Sequence, residues 1–244
     1  MLRKPPALSD SARSMPRRVL LSCLAAVALG GTGAAGQAAG ATDSALQATC
    51  AAPQVRVQGA SPVDLKDVCA GAGDALDFLR SRGLSTEAVL TIEVTSKLPD
   101  VVAPTAAGCF LPERNRAYLL TYAQFKKQRT WFGLPISRTL YRSLATHEAA
   151  HALAACNFTV KNPSIQATEY IAYVTMFSTM PSALRARALR SVPGTGFSDA
   201  DRVTAIAYVF DPVRFGAEAY RHFNRLPESE AFIKRIVAGE VLAD

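Results

Sequence analysis

Two of the three histidines in this 244-residue chain stand four positions apart, with an acidic residue directly after the first. The stretch ATHEAAHALAACN, residues 145–157, contains His147, Glu148 and His151. Imidazoles at positions i and i+4 of a helix lie on adjacent turns of one face, close enough to bind a single Zn²⁺. A neighbouring carboxylate can accept a proton from a metal-bound water, so the pattern predicts a zinc site with its own general base. A hydrogen-bonded pair of helix histidines without metal is the alternative.

A catalytic zinc ion takes three protein ligands, so a third group must come from another segment. Residues 162–177, NPSIQATEYIAYVTMF, predict a helix with Asn162 as N-cap and a proline in its first turn. Glu169 interrupts the apolar stripe of this helix, and a buried carboxylate is costly unless a cation pairs with it. We therefore expect Glu169 to be either the third zinc ligand or the partner of an arginine such as Arg138 or Arg142.

The chain resembles gluzincin-type zinc metallopeptidases in the HExxH…E arrangement formed by His147, Glu148, His151 and Glu169, the last standing eighteen positions beyond the second histidine. The resemblance implies that the two histidines and Glu169 bind zinc and that Glu148 is the catalytic base. It also implies a zincin fold, in which a small sheet packs on the histidine helix and an edge strand holds an extended peptide substrate. RAYLLTY, residues 116–122, is the candidate for that strand.

The residues around the motif limit the resemblance to residues 137 to about 177. The metzincin pattern fails, because Ala154 and Asn157 stand where that family has glycine and histidine. The peptidase subtype stays open, since the chain has neither the G-x-M-E-N exopeptidase signature nor a thermolysin-like sequence around Glu169. Related enzymes stabilise the oxyanion with a tyrosine or a histidine, and this chain offers Tyr173, Tyr208, Tyr220 and His222 without diagnostic spacing.

Residues 1–41 predict a secretory signal peptide. A basic segment precedes the apolar run at residues 19–29, and small residues follow, with cleavage expected after Ala41. The apolar run is short for a membrane span, so we expect a periplasmic or secreted protein without a membrane anchor after cleavage. An uncleaved anchor or a buried helical hairpin is the alternative.

The charge of the chain argues against a nucleic-acid partner. It contains 27 Lys+Arg and 20 Asp+Glu, a formal net charge of +7. Residues 1–41 hold five of the basic residues and one acidic residue, which leaves 22 against 19, or +3, for residues 42–244. Because the basic excess belongs largely to the export signal, we expect a peptide or protein substrate and no nucleic acid. Nothing in the sequence specifies an oligomeric state.

Four cysteines follow the predicted cleavage site, an even number that favours disulfides in an oxidising compartment. Four cysteines allow three connectivities. We expect Cys50 to pair with Cys69, tying a strand to the helix after it, and Cys109 to pair with Cys156, clamping the end of the histidine helix. Four buried thiols are the alternative, and the lack of a C-x-x-C pair argues against a cysteine zinc site.

Apolar periodicity predicts one α+β domain over residues 42–244, zincin-like, with a small N-terminal sheet and an all-helical C-terminal half around the HExxH helix. Residues 53–59, 88–96 and 116–122 predict strands, and a helix begins at Ser61 and ends at Gly83. Residues 104–115 predict a turn-rich connection. Later segments predict helices at residues 137–155, 163–179, 181–190, 198–209, 212–225 and 228–237.

Two classes of function fit these patterns. The first is a zinc-dependent peptidase that hydrolyses peptide bonds with a zinc-activated water and Glu148 as general base. The second is an exported protein without catalysis, either a zincin-like scaffold that binds metal without turnover or a disulfide-stapled binding module without metal.

Overall fold

A computed structural model of the chain describes residues 23–25 and 47–243. Most of the predicted signal peptide, including its cleavage site, lies outside the described residues. Within it, only the strand β1, Cys23–Ala25, is described. The described residues form an α+β structure with a small N-terminal sheet followed by helices, the fold class that the periodicity predicts.

Six strands form one sheet: β1 Cys23–Ala25, β2 Gln47–Thr49, β3 Val55–Gln58, β4 Leu90–Thr95, β5 Ala106–Leu111 and β6 Arg116–Leu120. Their order across the sheet is β1-β5-β6-β4-β3-β2. The pairs β3–β4 and β4–β6 are parallel, and the remaining pairs are antiparallel. A separate hairpin joins β7, Thr130–Trp131, to β8, Leu134–Pro135.

The helices are α1 Pro62–Ser81, α2 Tyr122–Phe125, α3 Arg138–Ala155, α4 Ile165–Thr179, α5 Ser182–Ser191, α6 Ala205–Phe210, α7 Pro212–Arg225 and α8 Ser229–Val237. Ser61 caps α1 as predicted, because its side chain accepts a hydrogen bond from the Asp64 N–H. The predicted cap of α4 at Asn162 is wrong. Ser164 caps this helix, since its hydroxyl accepts from the Ala167 N–H at 3.2 Å.

The sheet corrects two expectations about the strands nearest the site. Residues 104–115 were expected to be a turn-rich connection, yet they contain β5, all six residues of which are buried. Residues 116–122 were the candidate edge strand, yet β6 is interior, because it pairs with β4 on one side and β5 on the other. β5 is therefore the strand beyond β6, and among the described residues only the three of β1 lie outside it.

Alternation along the strands divides the sheet into two faces. Ala117 and Leu119 face the main core with α1 and α3, whereas Cys109 and Tyr118 belong to a smaller cluster on the opposite face. The predicted Cys109–Cys156 disulfide is wrong for this reason: Cys109 faces away from α3, and Cys156 is exposed at the end of that helix. The other predicted bridge is confirmed, since Cys50 and Cys69 form a disulfide.

Helix α3 lies at the centre of the helical layer. It packs against α1, α4 and the strands β4, β5 and β6. A Cβ atom at Gly71 of α1 would stand 2.5 Å from the Arg142 carbonyl oxygen, so the backbones of α1 and α3 approach each other closely at this point. Among the described residues, no helix is long and apolar enough to cross a membrane.

Candidate metal centre

The histidines of α3 face the neighbouring helix α4. Leu140, Leu144, His147 and His151 share one buried stripe of α3, as the helical spacing predicts. Alanines fill much of the rest of the helix from residue 145 to residue 155, which keeps it slim. The adjacent helix can therefore bring a side chain within reach of both imidazoles.

That side chain is Glu169 of α4. The Nε2 atoms of His147 and His151 are 3.0 Å apart. One Glu169 oxygen lies 3.4 Å from the His147 Nε2, and the other lies 3.5 Å from the His151 Nε2. The three side chains are buried, and together they can hold a metal ion. The structure thus brings together the three ligands predicted from the sequence.

The spacing of these atoms matches the donor set of a tetrahedral zinc ion. Bonds of about 2.0–2.1 Å to nitrogen and oxygen at tetrahedral angles place neighbouring donor atoms about 3.3 Å apart. The two imidazole nitrogens are 3.0 Å apart, and they lie 3.4 and 3.5 Å from different oxygens of Glu169, close to that value. Both Glu169 oxygens also lack a hydrogen-bond partner among the described residues. A cation between the imidazoles and the carboxylate would satisfy all three side chains at once.

The electrostatics of the group favour a bound cation. Burial lowers the pKa of His147 to about 4, with Glu169 acting in the opposite direction, so this imidazole is neutral at pH 7. Burial opposes ionisation of Glu169, but the two histidines beside it outweigh burial and lower the pKa of this carboxyl to about 2. Neutral imidazole and ionised carboxylate are the forms that ligate metals.

The arginine alternative for Glu169 is wrong. Arg138 binds the carboxylates of Asp64 and Asp67, at 2.5 and 3.1 Å. Arg142 makes two hydrogen bonds of 2.6 Å to Asp74. Both arginines therefore hold α3 to α1, on the side of α3 away from the histidines, and Glu169 contacts the imidazoles instead.

Glu148 points toward β5 rather than toward α4. A Cβ atom at Gly108 of β5 would stand 2.7 Å from the Glu148 Oε1 and 2.8 Å from its Cγ. Only glycine leaves room for the carboxylate at this place, so the strand backbone passes directly over it. Glu148 is 1% exposed, and it sits between the metal ligands of α3 and the outer part of the sheet.

Tyr173 is a further buried group beside the ligands. Its ring lies edge-on to His147, with centroids 4.5 Å apart. Its hydroxyl has no hydrogen-bond partner among the described residues. Burial, followed by the charges of Glu169 and Glu148, raises the pKa of Tyr173 well above its usual range, so the hydroxyl keeps its proton. A Cβ at Gly216 of α7 would stand 2.4 Å from the ring, so that glycine makes room for it.

The other oxyanion candidates contact other partners. The Tyr170 hydroxyl lies 2.7 Å from the Nδ1 of His222, and burial lowers the pKa of this histidine, which gives His222 a structural role in the core. Tyr208 packs on Phe215 of α7, with ring centroids 5.6 Å apart. Tyr220 packs on Phe177, at 5.3 Å.

A family model described as "Family of unknown function (DUF6639)" matches residues 55–244, and the chain belongs to this family. Comparisons with curated proteins and with solved structures gave no match. The matched region contains the whole candidate site, from β5 to α7. Because the family description assigns no activity, the function must be argued from the geometry.

Proposed function

We propose that this protein is an exported zinc-dependent peptidase of the gluzincin type. One observation carries the proposal: three buried side chains whose ligand atoms lie within 4.8 Å of one another, with a second carboxylate, Glu148, one residue from a ligand. This is the arrangement that metal-assisted hydrolysis requires, since it joins a metal site to a neighbouring base.

The residues divide the chemistry between them. His147, His151 and Glu169 would hold the ion, and zinc in such a site supplies a bound water of near-neutral pKa and polarises a carbonyl oxygen. Glu148 accepts the proton of the attacking water and passes it to the amine as the peptide C–N bond breaks. Tyr173 keeps its ring against His147 and thereby limits rotation of that imidazole.

The sheet supports a zincin-like reading of the fold. α3 packs on the sheet, and β5 runs over Glu148, so an extended peptide along the outer edge of β5 would pass the base. β1 occupies this edge as an antiparallel strand, with Cys23 opposite Cys109 and Ala25 opposite Ala106. Strand addition of this kind is a common mode of peptide binding. We assign the substrate-holding role to β5 in place of residues 116–122.

The disulfide supports the exported part of the proposal. Cys50 and Cys69 are oxidised in the structure, and such bridges persist in the periplasm or outside the cell. Processing of residues 1–41 would remove β1 and leave the edge of β5 open to a substrate.

One feature favours a second candidate, a zincin-like protein that binds metal without turnover. All four site residues are at most 4% exposed, so the site is closed to a substrate as it stands. A closed and complete donor set is typical of structural zinc sites. The two candidates share the metal and differ in the role of Glu148.

Metal analysis and one variant test both candidates. We expect about one equivalent of zinc in the wild-type protein, lost in His147→Ala and in Glu169→Ala. Glu148→Gln should retain zinc and lose hydrolysis of an unfolded protein substrate such as casein, because the amide cannot accept the proton. Zinc-free wild-type protein rejects the site, and wild-type activity in Glu148→Gln rejects the mechanism.

A further inference from the structure

The turn that precedes β7 places three cations at one end of β5. Lys126, Lys127 and Arg129 are exposed, and none of them forms an ion pair among the residues that the structure describes. Their sequence neighbourhood offers no partner either, because no acidic residue occurs between Glu113 and Glu148. An exposed cluster of one sign attracts ligands of the opposite charge.

The turn is fixed to the sheet rather than free in solution. The side-chain amide of Gln128 donates hydrogen bonds to the carbonyls of Thr105 and Ala106, at 3.2 and 3.4 Å. The Arg129 N–H donates to the Lys126 carbonyl at 3.1 Å, and the Arg129 carbonyl accepts from Ile136 at 3.0 Å. The backbone that carries the three cations is therefore held at the start of β5.

The direction of a strand on β5 decides which part of a peptide reaches the turn. β1 runs antiparallel to β5, from the partner of Cys109 to the partner of Ala106. A peptide in the same register would pass Gly108 and Glu148 first and then continue, in its C-terminal direction, toward the turn. At about 3.3 Å per residue, its third to fifth residues beyond Glu148 reach the cations.

We infer that the turn at residues 126–129 recognises acidic side chains in a peptide substrate, on the C-terminal side of the bond that is cut. The inference rests on the peptide-binding part of the proposed function, and it names the substrate class. Three exposed cations act at a distance through solvent, so the effect is moderate and salt-dependent, about tenfold in affinity at low ionic strength.

The cleavage test uses protein expressed from the full chain, purified from the exported fraction and loaded with zinc. Fragments of digested casein are mapped by mass spectrometry. We expect Asp and Glu to be enriched at the third to fifth positions after the cut. Reversing the charge of the turn with Lys126→Glu, Lys127→Glu and Arg129→Glu should abolish the enrichment. The control Lys161→Glu, which replaces an exposed lysine beyond the end of α3, should keep it. The inference is overturned if the charge-reversed variant shows the same enrichment of Asp and Glu as the wild type, or if the wild type shows no enrichment.

A binding test separates this inference from the proposed function. Zinc-loaded Glu148→Gln protein is titrated with fluorescent peptides blocked at both ends, carrying three Glu, three Gln or three Lys. We expect the Glu peptide to bind about tenfold more tightly than the Lys peptide at low salt, with the difference shrinking at ~0.5 M salt. If the protein prefers Glu peptides but the wild type cleaves nothing, only the peptidase proposal is rejected. If the wild type cleaves casein but shows no preference for Glu peptides, only the role of the turn is rejected. The same peptides with a free C-terminus serve as a comparison, and a preference that appears only in that set overturns recognition of side chains.

The charge-reversed turn needs a check on folding. A second set of variants, with Gln at the same three positions, removes the charge without reversing it. It should bind Glu and Lys peptides equally and keep the wild-type Tm and zinc content. Unequal binding by this neutral set, with its fold intact, would also overturn the inference.

Discussion

At the scale of single residues, the site depends on which neighbours have no side chain. Gly108 and Gly216 each stand where a Cβ would enter the space of a site residue, Glu148 in one case and Tyr173 in the other. The carboxylate and the tyrosine ring thus occupy volume that the backbone leaves open. Glycine at these two positions lets the strand and α7 approach α3 and α4 closely.

The substitution Gly108→Ala tests the position of Glu148. The added methyl would lie 2.7 Å from the Glu148 Oε1, so the carboxylate must move by a fraction of an ångström or more. Because a base displaced by about 1 Å can lose ~100-fold in rate, we expect kcat/KM on casein to fall at least tenfold. Zinc content should stay at about one equivalent, since the ligands lie on the α4 side of α3. Unchanged kcat/KM would show that Glu148 need not sit under β5.

The lowered pKa of His222 predicts a loss of protein stability at acidic pH. Burial lowers the pKa of this histidine, and its Nδ1, 2.7 Å from the Tyr170 hydroxyl, can accept a hydrogen bond from that group only while the nitrogen is unprotonated. The unfolded chain binds this proton at the usual pKa of about 6.5, so the contribution of His222 is present above that pH and is lost as the pH falls below it. We expect the free energy of unfolding, from urea titrations, to fall less between pH 7 and pH 5 in His222→Gln than in wild type.

A neighbouring exposed residue controls for general effects on α7. Asn224→Ala changes the same helix on its solvent side, and it should retain the wild-type dependence of stability on pH. Identical pH profiles for His222→Gln and the wild type would assign the acid sensitivity to other groups.

At the scale of elements, the long helices were predictable, the helix predicted at residues 198–209 begins only at Ala205, and the strand β5 was missed. α7 has the predicted bounds, because Asp211 and Pro212 mark its start and its apolar spacing continues to the end. β5 gave no local signal: Ala106, Ala107 and Gly108 are typical of a turn, and only pairing with β6 makes them a strand. The mistaken edge strand and the mistaken Cys109–Cys156 bridge both follow from missing β5.

The site shows the same division between local and tertiary information. His147 and His151 were predictable because their spacing is a property of one helix, and Glu169 because it interrupts an apolar stripe. The contact of Glu148 with Gly108 was not predictable, since it depends on how β5 crosses α3. The HExxH motif predicted the role of Glu148, but it did not predict which strand would hold a substrate beside it.

The packing of α1 on α3 can be tested with two glycines of one helix. A Cβ at Gly71 would meet the Arg142 carbonyl at 2.5 Å and the Ala145 Cβ at 2.9 Å, whereas Gly73 has nothing within 4 Å. We expect Gly71→Ala to lower the free energy of unfolding by about 1–3 kcal/mol, because α1 must move away from α3. Gly73→Ala should raise it by about 0.5–1 kcal/mol through helix propensity. Urea denaturation of the two variants measures both, and equal effects would contradict the close approach of the helices.

At the scale of the whole molecule, the candidate metal site lies between the two parts of the fold. α3 packs on the sheet, and α4 packs on α7, so the two histidines and Glu169 lie between the sheet layer and the C-terminal helices. The disulfide between Cys50 and Cys69 secures only the N-terminal side, where it ties the loop after β2 to α1. Coupling between the halves therefore depends on the packing of α3 on α4 and, under the proposed function, on a cation bound between them.

Replacing Glu169 with Gln should remove most of the stabilisation that added zinc brings. Without metal, the two imidazoles hold the buried carboxyl in its ionised form and lower its pKa to about 2, and the isosteric amide loses this interaction. We therefore expect Glu169→Gln to have a lower Tm than the wild type in chelator. With zinc at 100 times its Kd, mass action stabilises the wild type by about 2.7 kcal/mol, and the variant, which lacks an anionic ligand, gains far less. A wild-type Tm that does not change with zinc, or an equal change in the variant, would reject the metal site and favour a hydrogen-bonded histidine pair instead.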